Sequence, residues 1–89
     1  MNPSTAFRLS AGLGFLAVAL GAFGAHGLQE RLVQNNALEI WKTAALYHLV
    51  HSAVLLLISS REPLPLWAWR LIFAGVLIFS GTLYLLAVT

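Results

Sequence analysis

Four side chains that can hydrogen-bond or transfer protons lie close together in one apolar stretch of the sequence: Tyr47, His48, His51 and Ser52. His48 precedes His51 by three residues and Ser52 by four, and such spacings bring side chains together on one face of a helix. A further histidine, His26, ends the preceding apolar stretch. Because histidine titrates near neutral pH and binds metals, these five residues form the candidate functional polar cluster.

Three functional uses of this cluster would each need a group that the apolar stretches lack. A haem or metal site needs more ligands than His48 and His51, and the chain has no cysteine. A proton-linked carrier normally keeps a carboxylate in the bilayer, and a His48–Ser52 pair has no acid to orient it. We therefore predict no enzyme activity, no cofactor and no metal site, and hydrogen bonding between helices as the main use. An oligomeric transporter or channel subunit, or histidine-based haem or metal binding, is the alternative.

The stretches that carry these residues are long enough to cross a membrane. The chain is 60% hydrophobic and 9% charged, and its charged residues leave three gaps at 9–29, 43–60 and 71–89. A helix needs roughly 20 residues to cross about 30 Å of hydrocarbon, and only helices satisfy their backbone there without partners. The sequence predicts an all-α integral membrane bundle. It forms one domain, residues 1–89, with spans at about 6–26, 41–60 and 66–88.

The connection between the first two spans predicts a short interfacial helix. Leu28, Leu32 and Val33 fall on one side of it and polar residues on the other. Asn36, three residues before Glu39, is typical of an N-cap, so the next helix should start near residue 37. Aromatic and basic residues then predict anchors at the membrane surface: Trp41, Lys42, Trp67, Trp69 and Arg70.

Small residues recur along one face of the first span, at Ser10, Gly14, Ala17, Gly21 and Ala25. Such a face lets a neighbouring backbone approach closely in lipid. The predicted helix-packing residues are Gly14, Ala17, Gly21, Ala25 and Gly81. Because unsatisfied polar groups are costly in hydrocarbon, we expect both His48 and His51 to face the bundle. Gly24 and Gly27 should let the first span end and turn.

Three motifs connect the sequence to a family: AFGAHGL at 22–28, WKTAALYHLVHSA at 41–53 and FSGTLYLLA at 79–87. Together they resemble the YgdD-like family of small multi-pass bacterial membrane proteins. The resemblance implies an inner-membrane location and these signature positions: His26, Gly27, Trp41, Tyr47, His48, His51, Ser80, Gly81 and Tyr84. Members of that family resemble four-span proteins, and the last, glycine-rich helix of that pattern has no counterpart here.

The few basic residues suggest an orientation and exclude one class of partner. Arg8, Arg61 and Arg70 fall on one side of the predicted bundle, with Arg31 and Lys42 on the other, which favours a cytoplasmic N-terminus. Five unclustered basic residues form no nucleic-acid-binding face. We expect the lipid bilayer, and another membrane protein or a second copy, as partners. The predicted role is that of a structural or interaction module.

Overall fold

The computed structural model describes residues 2–61 and 63–89 and contains four helices in that part of the chain. They are α1 (Pro3–His26), α2 (Gln29–Gln34), α3 (Leu38–Ser59) and α4 (Leu66–Val88). The helices α1, α3 and α4 are each long and apolar enough to cross a membrane, and α2 is a short helix between the first two. The predicted fold class is therefore confirmed.

The helix α3 is the centre of the bundle, because it packs extensively against both α1 and α4, while the backbones of α1 and α4 approach each other at few points. One apolar cluster lies where α1 and α4 begin: Ala6, Leu13, Leu55, Trp69 and Val76. A second lies where α3 begins and α4 ends: Leu32, Ala37, Trp41 and Ala87. Between the two clusters, α3 and α4 bury the polar residues His48, Ser52 and Ser80.

The turn into α3 differs from the predicted cap. The N-cap residue is Ala37, which makes no side-chain capping bond, and the prediction of Asn36 as the cap was wrong. Asn36 instead has a φ of 53°, a left-handed conformation that asparagine adopts more readily than most residues. It reverses the chain after α2. On α2 itself Leu32 is fully buried, but Val33 is exposed, so the apolar side of this helix is narrower than predicted.

The end of α1 does not use a left-handed glycine. Gly27 is the C-cap residue with a φ of −72°, within the right-handed helical region, and its N–H donates to the Phe23 carbonyl. Gly24 has a different importance, because a Cβ atom built on it would overlap the Trp41 indole. The absence of a side chain at Gly24 therefore lets α3 bring a tryptophan against the backbone of α1.

Two of the three tryptophans face inward, which corrects the prediction that they are surface anchors. Trp41 and Trp69 are 4% and 2% exposed, whereas Trp67 is 76% exposed. A buried indole needs an acceptor for its N–H group. The Trp41 Nε1–H donates to the Leu20 carbonyl at 2.8 Å, and the Trp69 Nε1–H donates to Ser10 Oγ at 3.0 Å. Both tryptophans therefore bind α1 to a neighbouring helix.

The short helix α2 also binds the far end of the chain. Arg31 Nε donates to the Val88 carbonyl at 3.0 Å, and Asn35 Nδ2 donates to the Ala87 carbonyl at 3.0 Å. The last four carbonyls of a helix have no acceptor role inside it, so they need partners from elsewhere. Two side chains from the connection between α1 and α3 thus cap α4.

Candidate functional site

The inward face of α3 carries the buried part of the predicted polar cluster. The buried residues of this helix are Trp41, Ala44, His48, Ser52, Leu55 and Ser59. Their spacings of three and four residues keep them on one face of the helix. His48 is 3% exposed and Ser52 is 1% exposed, near the middle of this face. The structure therefore places these two candidate residues inside the bundle.

His48 connects α3 to α4 through a hydrogen bond with Tyr84. The His48 Nδ1 and Tyr84 Oη atoms are 2.9 Å apart, and the two rings meet edge to face with centroids 5.9 Å apart. The hydroxyl can donate to this nitrogen or accept from it, depending on the tautomer. The second ring nitrogen, Nε2, is buried without a hydrogen-bond partner in the described part of the chain. Tyr84, a signature position of the resemblance, is thus the direct partner of the buried histidine.

Buried hydroxyl groups bond to backbone carbonyls. Ser80 Oγ on α4 donates to the Ala44 carbonyl on α3 at 3.0 Å. Ser52 Oγ donates within its own helix to the His48 carbonyl at 2.7 Å. Hydroxyls bonded in this way have their donor occupied by the fold. Of these two bonds, the one from Ser80 holds α4 against α3.

His51 points outward, so the prediction that both histidines face the bundle was wrong for this residue. His51 is exposed, and its Nδ1 atom lies 2.7 Å from the Tyr47 carbonyl oxygen in its own helix. A carbonyl oxygen only accepts, so Nδ1 carries the proton and donates. His51 is turned about 60° from His48 around the helix axis. The helices α1 and α4 provide most of the packing against α3, and a 60° turn is enough to leave the sector that they cover.

Tyr47 and His26 also lie on the outside. Tyr47 is 46% exposed, and its ring stacks on Phe79 of α4 with centroids 5.3 Å apart. His26 is exposed in the last turn of α1, at the level where α3 begins. The five candidate residues therefore separate into a buried pair, an outward pair on α3 and an isolated histidine at the end of α1.

The predicted packing residues mostly lie between α1 and α3. A Cβ atom on Gly14 would lie 3.5 Å from the Ser52 Cβ, and one on Gly21 would lie 3.8 Å from the Ala45 Cβ. Ala17 is 2% exposed between them. Ala25, in contrast, is exposed, because the face turns away at the end of α1.

Gly81, also a predicted packing residue, lies beside a groove between α1 and α4, and no described residue of a neighbouring helix comes within 4 Å of the position of its Cβ. The groove has a volume of about 110 Å³, and His48 and Tyr84 lie along it among leucine and valine side chains. Its lining is almost entirely apolar, which suits a hydrocarbon chain or an apolar side chain. Over residues 2–61 and 63–89, no three His, Asp or Glu side chains come together as a possible metal site.

Sequence reasoning missed several residues that hold the bundle together. The sequence pattern predicts Trp41 and Trp69 at the membrane surface, and it does not indicate the bonds from Ser80, Arg31 and Asn35. A sequence signal existed only for Trp41, since Gly24 leaves space for a large side chain on a neighbouring helix. The carbonyl acceptors of these bonds are present at every residue and leave no pattern in the sequence.

Comparisons with known proteins place the chain among uncharacterised membrane proteins of bacteria and yeast. A family model described as "Protein of unknown function (DUF423)" matches residues 20–89. A UPF0382 membrane protein of Staphylococcus aureus is 44% identical over a 78-residue alignment that covers 83% of this chain and 63% of the relative. The UPF0382 membrane protein YwdK of Bacillus subtilis is 41% identical over 81 residues, covering 83% of this chain and 64% of the relative.

A UPF0382 membrane protein of Schizosaccharomyces pombe is 37% identical over 82 residues, covering 90% of this chain and 70% of the relative. The chain thus spans a little under two thirds of the length of the two bacterial relatives. No solved structure matches the chain significantly. The family match and these relatives agree with the three apolar helices, and the chain belongs to the DUF423 family of UPF0382 membrane proteins.

Proposed function

We propose that this protein is a small, non-catalytic packing or interaction module that binds another membrane protein or a second copy of itself within the bilayer. The observation that carries this proposal is the use of the buried polar groups. The Trp41 and Trp69 indoles, the Ser80 hydroxyl and His48 Nδ1 all bond to another helix. These buried polar groups therefore serve to hold one helix against another.

The outer surface of the bundle supports the same proposal. At most 28% of the residues in the apolar part of any span are buried. Large apolar side chains such as Phe15, Leu57 and Ile78 are at least 70% exposed. The three membrane-spanning helices therefore present most of their surface to lipid or to neighbouring membrane proteins. Few core residues hold them together.

The alternative functions are not favoured by the arrangement of the side chains. A catalytic or proton-carrying histidine normally works beside a carboxylate. His48 instead bonds to the hydroxyl of Tyr84. Glu39 lies in the first turn of α3 beside Lys42, with a side chain that is 87% exposed. A haem or metal ion would have to use His48 or His51 as isolated ligands, because these two residues face different directions.

We further propose a YgdD-like protein of the bacterial inner membrane with a cytoplasmic N-terminus and no nucleic-acid partner. The motif resemblance and the distribution of basic residues support this placement. The cysteine-free chain allows a direct check with Asn2→Cys and its matched partner Gln34→Cys, both exposed. An impermeant thiol reagent applied from outside should label Gln34→Cys alone. The opposite pattern would reverse the proposed orientation.

The interaction role can be tested with photo-crosslinking residues in native membranes. The probe replaces Phe15, Leu57 or Ile78, one on each span, and buried Leu55 serves as the inward control. We expect a discrete protein adduct from at least one outward position and none from Leu55. If lipid alone is captured at all three outward positions and also at exposed Val50 on α3, the proposed interaction role is wrong.

A further inference from the structure

We infer that the outward face of α3 around Tyr47 and His51 is a self-association site that takes a second copy of this chain. The inference rests on the proposed function and names its partner. The face, called here the Tyr47–His51 face, includes Leu46 and Val50, which line a hollow of about 190 Å³ together with the two polar residues.

Each polar residue on this face has one group available for bonding. His51 Nδ1 donates to the Tyr47 carbonyl, so His51 Nε2 carries the lone pair and is an acceptor. The Tyr47 hydroxyl, a donor, has no hydrogen-bond partner within residues 2–61 and 63–89. The Tyr47 side chain is 46% exposed, and its ring stacks on Phe79 of α4. The face thus presents one donor and one acceptor, one helical turn apart.

The depth of these groups makes their bonding important. The helix α3 has 22 residues and is therefore about 33 Å long, close to the hydrocarbon thickness. Tyr47 and His51 lie about 14 Å and about 20 Å from its start, near the middle of the bilayer. Water does not reach this depth to satisfy a hydroxyl or an imidazole. A protein partner at this face would satisfy both groups.

A second copy fits this face because a twofold axis pairs unlike groups. In a symmetric dimer, residue i of one subunit meets residue j of the other, and j meets i. The Tyr47 hydroxyl of each copy can then donate to His51 Nε2 of the other copy, which makes two equivalent bonds. Leu46 and Val50 add an apolar surface, and no charged side chain lines the hollow. The donor and acceptor on one chain are therefore complementary to themselves.

Oxidative crosslinking of single cysteines in liposomes tests which face associates. Val50→Cys reports on the Tyr47–His51 face, because two cysteines form a disulfide only when their Cα atoms approach within about 7 Å. Phe15→Cys on α1 is the matched control, since Gly14 packs beside Ser52 and Phe15 is therefore at a similar depth. We expect a covalent dimer from Val50→Cys and not from Phe15→Cys. Equal crosslinking of the two variants overturns the inference.

Energy transfer between labelled copies, measured over a range of protein-to-lipid ratios, tests the bonding. Tyr47→Phe and His51→Leu each remove both bonds of a symmetric dimer, because every bond needs one residue of each type. Either substitution should weaken dimerisation about tenfold, given the modest strength of hydrogen bonds between helices in membranes. The double variant should be no weaker than either single variant. Additive losses, or no loss, overturn the inference.

Both substitutions are on the surface, so each variant should keep its helical circular dichroism and its melting temperature as a monomer. A Val50 photo-adduct with a different protein and no self-crosslinking overturns the second-copy inference but supports the interaction role. Lipid adducts alone at Val50 and at every other outward position overturn both. The two failures are therefore distinguishable.

Discussion

His48 and His51 lie three residues apart on the same helix, and the bundle uses them in opposite ways. The inward histidine bonds to Tyr84 on α4, while the outward histidine bonds to a carbonyl of its own helix. The first bond joins two spans, and the second leaves a ring nitrogen pointing away from the bundle. Residue type alone therefore does not assign a role in a bundle of three spans, because a turn of about 60° decides whether a side chain reaches a neighbouring helix.

The largest effect of an inward against an outward position is expected for two glycines of α1, Gly24 and Gly12. Gly24→Leu should displace the Trp41 indole and break its bond to Leu20, because a Cβ at that position already overlaps the ring. Overpacking of this kind costs about 1–3 kcal/mol, and more where backbone must move. Gly12→Leu is the control, since nothing lies within 4 Å of its Cβ position. Thermal melting in detergent should show a large loss for the first variant alone, and equal melting would contradict the close packing described here.

The histidines themselves provide the next largest effect. His48→Leu should destabilise the bundle by about 1–3 kcal/mol, because it leaves the part-buried Tyr84 hydroxyl without its partner. His51→Leu should leave the stability of the monomer unchanged. Adding Tyr84→Phe to His48→Leu should recover part of the loss, since both members of the bond are then apolar. Unfolding in mixed detergent micelles measures all three variants, and equal losses for the two histidines would remove the contrast.

These expectations show where sequence reasoning succeeds and where it stops. The gaps between charges predict three spans, and the amphipathic connection predicts α2, because both depend on properties of one segment at a time. The inward positions of Trp41 and Trp69 depend on space left by another helix. A span that is apolar all around has no polar side to reveal its orientation, so the same sequence pattern allowed His51 to be assigned inward. The partners of Ser80 and Arg31 are backbone carbonyls, which every residue supplies.

A smaller effect is expected for the serine that joins α3 and α4. Ser80→Ala removes the bond to the Ala44 carbonyl and should cost about 0.6 kcal/mol, the average for such bonds between membrane helices. Ser60→Ala is the matched control, because Ser60 is exposed and bonds only to Leu57 near its own position. A double-mutant cycle that combines Ser80→Ala with His48→Leu would show whether the Ser80–Ala44 and His48–Tyr84 bonds depend on each other. If Ser80→Ala and Ser60→Ala lose the same stability, the difference between inward and outward polar residues holds for the histidines but not for the serines.

The smallest effect is expected for the bonds from α2 to the end of α4. It tests whether inward-facing side chains outside the three spans also hold the bundle together. Replacing Arg31 and Asn35 by alanine should raise amide hydrogen exchange in α2 with little change in overall stability, since surface substitutions usually stay within about 0.5 kcal/mol. Gln34→Ala on the same helix is the control. Unchanged exchange in the Arg31 and Asn35 variants would mean that α2 is held by Leu32 alone.

The bonds from α2 to the end of α4 also constrain the order in which the protein can be assembled. They join residues 57 and 52 positions apart, Arg31 to Val88 and Asn35 to Ala87. At the usual speed of synthesis, about 5–20 residues per second, Val88 is made roughly 3–11 s after Arg31. During that interval the guanidinium of Arg31 and the amide of Asn35 cannot make these bonds, because their acceptors do not yet exist. The connection between α1 and α3 is therefore among the last parts of the described chain to reach its final contacts, although it is made before both α3 and α4.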